Sequence, residues 1–167
     1  MPYVQLQGFY DNDFVMADVL GPDVLKAWER LLRSRQYFVA RVEEELRLAD
    51  LPPLEWYDVL WELEQADGEW LRQADVSRRV LIAPYNLSRL IDRLEQDGLV
   101  ARRQCPKDGR NNVLVLTDKG RDLRRRIWPV YAAALDRHFG SRLSAAEARE
   151  LALLLGRLDP VDGSGPR

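Results

Sequence analysis

Residues 84–103 read PYNLSRLIDRLEQDGLVARR. Leu87, Leu90, Ile91 and Leu94 stand at i, i+3, i+4 and i+7, which predicts one buried stripe along a helix. Pro84 suits the first helical turn, where a missing backbone N–H costs nothing. Gly98 is placed to end the helix with positive φ. The face opposite the stripe carries Tyr85, Asn86, Ser88, Arg89 and Arg93. Asn86 and Ser88 can hydrogen-bond base edges, and the fork of Arg89 matches the paired acceptors of guanine in a DNA major groove. Tyr85 offers a ring edge and a hydroxyl at the N-terminal end, where recognition helices touch bases. Arg93, further along, suits a phosphate. Polar residues opposite an apolar stripe also mark any solvated helix, so this face does not decide the matter alone.

The flanks supply the context. Upstream, a helix over 54–66 presents Tyr57, Leu60, Trp61 and Leu63 as its apolar side, a short strand covers 69–71, and a brief helix covers 73–80. Downstream, 99–104 and 112–116 read as two strands, the second rich in β-branched residues, around the turn-forming loop CPKDGRN. Three short helices followed by a hairpin is the order of a winged helix-turn-helix. Lys107 and Arg110 sit at the hairpin tip and Arg102 and Arg103 at its base, so the hairpin is a cationic arm beside the recognition helix. Asp108 either fixes Arg110 through a local ion pair or simply forms the Asp-Gly turn.

Two long helices flank this module. The first starts near Pro22, repeats Val24, Leu25, Trp28, Leu31, Leu32, Phe38, Val39, Val42 and Leu46 at threes and fours, and stops before Pro52. Such a helix needs a packing partner, and a second subunit is one candidate. The second opens at Thr117, with Leu123, Ile127, Val130, Tyr131, Ala134 and His138 as its inner positions and Pro129 placed to kink it. Ser144 to Glu147 spell a capping box for a last helix ending near Leu158. The expected organisation is an arm at 1–20, a helical dimerisation region at 21–52 and 118–158, the winged module at 53–117 and a frayed tail at 159–167. The fold class is mainly α with a small β-hairpin wing.

Bulk properties agree. Net charge is −2, but residues 1–71 hold 6 Lys/Arg against 15 Asp/Glu, whereas 72–110 hold 9 against 5. A basic middle can meet a polyanion although the whole chain is mildly acidic. No apolar run reaches membrane-span length, and the first residues lack the pattern of a secretory signal. A single cysteine, Cys105, excludes an internal disulfide framework and suits a reducing cytoplasm. His138 has no neighbouring ligand residues at metal spacing, and no phosphate-cradling glycine loop or nucleophile elbow occurs. Neither a cofactor, a metal nor an enzymatic activity is expected. The competing reading is a winged helix that binds a protein instead of DNA.

The chain resembles the multiple-antibiotic-resistance regulator (MarR) family of bacterial transcription factors. Pro84, Ser88, Arg89, Leu90, Asp92, Arg93, Leu94, Glu95, Gly98, Leu99, Val100 and Arg102 carry the likeness, followed by Asp108-x-Arg110 and Val113-Leu-Val-Leu-Thr117-x-Lys119-Gly120-Arg121. The resemblance covers about 24–158 and is strongest over 71–121. It implies a homodimer on double-stranded DNA, a pseudopalindromic operator with half-sites about 10 base pairs apart, and repression as the commoner outcome. The chain departs from the family at Ala83, where a Ser or Thr cap is usual, and at Tyr85, which is bulkier than usual. The resemblance further implies release from DNA by a small aromatic or phenolic anion. Trp28, Phe38, Tyr57 and Trp61, with Asp58 as polar contact and a nearby arginine, would line such a cleft. The plainer alternative is that these aromatics are core or subunit interface. Cys105, between Arg103 and Lys107, is the candidate for redox sensing, although the family's peroxide sensors carry theirs near the N-terminus.

Overall fold

The structure, a computed structural model, describes residues 20–66, 70–105 and 112–158. The expected arm up to residue 19, the hairpin tip at 106–111 and the tail at 159–167 lie outside the described residues. The chain forms two compact units, residues 1–40 and 41–167.

Helix α1 spans Pro22–Leu48. Its residues in the first unit expose Val24, Trp28, Leu31, Leu32 and Val39, part of the apolar stripe for which the spacing predicts a packing partner. Only Val42 and Leu46, both in the second unit, are buried. The helix closes with Asp50 at φ 53° and the Leu51 amide on the Leu46 carbonyl at 2.9 Å.

In the second unit, α2 (Leu54–Glu64) lies between two apolar clusters and buries more than one stripe. Val59, Leu60 and Leu63 enter the larger cluster and Tyr57 the smaller. Trp61, expected on the apolar side, is 38% exposed, and fully buried Val59 takes its place. Strand β1 (Trp70–Leu71) and α3 (Gln73–Arg79) follow. Helix α4 (Pro84–Gln96) buries Leu87, Leu90, Ile91 and Leu94, the whole predicted stripe. Strands β2 (Val100–Gln104) and β3 (Asn112–Leu116) pair antiparallel, with Val100 opposite Leu116 and Gln104 opposite Asn112. Strand β1 adds to the other edge of β3, giving a three-stranded sheet in the order β1-β3-β2.

Helix α5 (Asp118–His138) carries Pro129 inside it. Ile127 and Ala134 are fully buried against Val42, Leu46 and Tyr57, with Leu123, Val130 and Tyr131 packed partly against the same cluster. His138 is half-buried and lies 3.2 Å from Glu45. After a 3₁₀ turn, α6 (Ala145–Gly156) opens on the expected capping box: the Glu147 amide donates to Ser144 Oγ and the Ser144 amide to the Glu147 carboxylate. Helix α6 exposes Leu153, Leu154 and Leu155, and Leu158 beyond its end is exposed as well. Among the described residues, no helix is long and apolar enough to cross a membrane.

Candidate nucleic-acid interface

The candidate recognition element is α4. It begins without a side-chain cap, because Ala83 has no acceptor to offer its first turn. Its far end is held strongly. The Leu99 amide donates to Leu94 O at 2.8 Å and the Gly98 amide to Glu95 O at 2.9 Å, a Schellman closure with Gly98 at φ +70°. The start of α5 reinforces the same turn. Thr117 Oγ1 lies 2.8 Å from Gly98 O and 3.0 Å from Leu99 O, and it accepts the Gly120 amide at 3.0 Å. Lys119 Nζ donates to Asp97 O at 2.6 Å. Three residues of the Thr117-x-Lys119-Gly120 signature thus act on the C-terminal end of the recognition helix.

Outward, α4 presents Tyr85, Asn86, Arg89 and Arg93 to solvent, while Ser88 is half-buried. Arg89 Cζ lies over the Tyr85 ring, 4.4 Å from its centroid, and Arg93 Cζ over Trp56 of α2 at 5.6 Å. Among the described residues, neither arginine ion-pairs with a carboxylate. Other arginines of this unit do: Arg78 with Asp75, Arg79 with Glu62, Arg124 with Glu64. An aromatic partner orients a guanidinium through its face and leaves its N–H edge and its charge uncommitted.

The hairpin divides its arginines. Arg102 pairs with Asp92 at 2.6 Å and with Glu95, and its amide donates to Glu95 Oε1 at 3.3 Å. Those carboxylates hold the guanidinium more firmly protonated than usual. Arg102 therefore clasps the wing strand to the recognition helix, a role its position at the hairpin base did not reveal. Arg103, its neighbour on the opposite face of β2, is exposed. Lys107, Asp108 and Arg110 lie outside the described residues. Cys105 is buried at 3% exposure, unlike the accessible setting of redox-sensing thiols.

A family model for the MarR family matches residues 49–111, a span that begins just after α1 and ends just before β3. The chain is 39% identical over 80 residues to the uncharacterized HTH-type transcriptional regulator YkoM of Bacillus subtilis, covering 48% of this chain and 51% of YkoM. It is 33% identical over 96 residues to the HTH-type transcriptional repressor Mb2911 of Mycobacterium bovis, covering 58% of this chain and 67% of that one. The chain belongs to the MarR family of transcriptional regulators. The match spans about half the length of YkoM, the first of these relatives. Among solved structures, CouR of Rhodococcus jostii bound to p-coumaroyl-CoA superposes with a TM-score of 0.65 at 29% identity, covering 77% of this chain and 87% of that one.

In this MarR-family chain, the expected effector residues divide between the two units. Trp28 and Phe38 belong to the first unit, Trp28 59% exposed and Phe38 half-buried with its ring edge-on to Tyr37 at 5.3 Å. Tyr57, Asp58 and Trp61 belong to the second. There Tyr57 is the centre of an aromatic cluster between α2 and α5: it stacks on Trp61 and Trp128 at 6.1 Å each and meets the edge of Tyr131 at 5.2 Å. Arg124 lies 5.2 Å from the Trp61 ring. Trp128 is not foreseen from the sequence, and the expected nearby arginine is not identified by it, because only packing brings α5 against α2.

Asp58 stands apart electrostatically. Burial, reinforced by the negative Glu55, Glu62 and Glu43, pushes its carboxyl up to about 6. A carboxyl raised in the folded state binds protons more tightly there than in the unfolded chain, so folding weakens as pH rises from about 4 to 6 and stays weakened above. Asp58→Asn is expected to be more stable than the parent at pH 7.5 by about 1 kcal/mol after allowing for solvent screening, or about 2–4 °C in Tm. The difference should vanish near pH 4. Thermal melts across this range decide it, and a gain that is independent of pH would remove the charge explanation.

Proposed function

We propose that this MarR-family protein is a cytoplasmic, sequence-specific DNA-binding regulator, a repressor, that acts as a homodimer on a pseudopalindromic operator. The observation that carries the reading is the state of the arginines on α4. Arg89 and Arg93 are oriented by rings and not neutralised by acids. They stand on a helix whose opposite face is fully committed to the core. Asn86 and Arg89 are the base readers, Ser88 and Tyr85 adjoin them, and Arg93 and Arg103 meet phosphates, with Lys107 and Arg110 as further proposed phosphate contacts. Arg102 sets the angle between wing and helix, and Asp108 is proposed to act with Arg110.

The dimer reading is supported by apolar side chains that the chain leaves uncovered, on α1 from Val24 to Val39 and at Leu153, Leu154, Leu155 and Leu158. The effector reading is supported by the aromatic cluster around Tyr57 and by a relative bound to p-coumaroyl-CoA. Trp61 and Asp58 complete the proposed contacts within the second unit, with Arg124 as counter-charge. An anion would compete with Glu64 for Arg124. It releases DNA only to the extent that it favours one spacing of the two recognition helices.

Mobility shifts on the gene's upstream region test the reading. Affinity should fall steeply with salt as phosphate-bound counterions are displaced. Arg89→Ala should cost about 1–3 kcal/mol and relax preference at one operator position. Arg103→Ala should weaken binding to all duplexes alike and lower the salt slope by about one unit. A shift indifferent to salt, or none at any concentration, favours the protein-binding winged helix instead.

A further inference from the structure

The sequence predicts that Tyr85 touches a base with its own hydroxyl or ring edge. The geometry points elsewhere, and we infer that Tyr85 is the positioning residue of Arg89, the two forming one stacked element that reads guanine. This rests on the proposed DNA-binding reading and deepens it.

Three observations carry the inference. First, residues i and i+4 face each other along a helix, so Tyr85 on the first turn of α4 stands beside Arg89 on the next. The Arg89 Cζ lies 4.4 Å from the ring centroid, well within cation–π range. Second, Tyr85 is 65% exposed, so its ring contributes little to the core, and a bulky ring in water needs another explanation. Third, among the described residues Arg89 ion-pairs with no acid, whereas Arg102 on the adjoining strand is held by two. An acid partner would occupy the N–H groups that must meet guanine O6 and N7. A ring holds the guanidinium by its face and leaves all five N–H donors free. Pre-ordering a long side chain in this way removes part of the entropy lost on binding.

The element has a defined chemical requirement. It needs an aromatic face at position 85 and does not need the phenolic hydroxyl. Tyr85→Phe should keep operator affinity within about twofold of the parent, because the ring face remains. Tyr85→Ala should lose most of what Arg89→Ala loses, and the double variant should be little worse than Arg89→Ala alone, since the two act as one unit.

The experiment uses the full chain and its own operator, with each guanine replaced in turn by 7-deazaguanine, which removes the N7 acceptor and leaves the duplex otherwise intact. The parent and Tyr85→Phe should show a loss of about tenfold at one guanine per half-site. In Tyr85→Ala and Arg89→Ala that penalty should shrink to about twofold or less, while the salt slope stays at the parental value. A full deazaguanine penalty in Tyr85→Ala, or Tyr85→Phe behaving like Tyr85→Ala, overturns the positioning role while leaving DNA binding intact. No sensitive guanine in the parent overturns guanine reading by this element. Failure of the parent to bind any duplex in a salt-dependent way defeats the DNA-binding reading itself and this inference with it.

Discussion

Gly120→Ala is expected to destabilise the fold by about 3 kcal/mol or more, lowering Tm by roughly 6–12 °C in a chain of this size. Helix propensity alone points the other way, since alanine inside a helix is favoured over glycine by about 1 kcal/mol. Sterics decide the sign. A Cβ built at Gly120 would stand far inside contact distance of the Leu99 carbonyl oxygen, 2.7 Å from Leu116 Cδ1 and 3.2 Å from the Leu99 carbonyl carbon. The first and last of these are backbone atoms, which cannot swing aside as a side-chain end can. Relief requires the first turn of α5 to move away from residues 97–99, and that motion breaks the Thr117 and Lys119 hydrogen bonds holding the end of the recognition helix. Gly156→Ala is the control: its Cβ would meet nothing within 4 Å, and it should be neutral or slightly stabilising. Chemical denaturation of the two variants measures the contrast. Equal stabilities would mean that the α5 start can be displaced freely.

The second large effect concerns assembly. Trp28→Glu combined with Leu32→Glu should convert the proposed dimer to monomer and lower operator affinity by about 10²–10⁴-fold, because each half-site is then bound without the effective concentration supplied by its twin. Both side chains are exposed within the chain, so the substitutions leave the winged module's own core untouched. Placing a carboxylate against the apolar face of a second subunit opposes association through desolvation. Sedimentation gives the oligomeric state and a mobility shift gives the affinity. A variant that stays dimeric, or a monomer that binds within about threefold of the parent, contradicts the role assigned to this face.

Much of the architecture was legible from local pattern. The stripe Leu87, Leu90, Ile91, Leu94 predicts α4 and its inner face, Gly98 its end and Ser144 to Glu147 the start of α6, and each appears where expected. These are contacts within one or two turns, encoded by residues three or four apart. The hydrophobic stripe of α1 was equally legible, yet periodicity shows only that a face seeks cover; what covers it depends on another surface.

By itself, then, the sequence determined the helices, their caps, the hairpin strands and the polar set on the outer face of α4, because each depends on short-range backbone geometry and side-chain spacing. Tertiary structure alone decided that Arg102 is a clasp to Asp92 and Glu95, and that Trp128 and Arg124 join Tyr57 and Trp61. It also decided that Gly120 must lack a side chain and that Asp58 holds its proton to about pH 6. Those properties arise from groups brought together from separate elements, and whether a charge is neutralised or a methyl group fits is a matter of distance and burial that linear order does not contain.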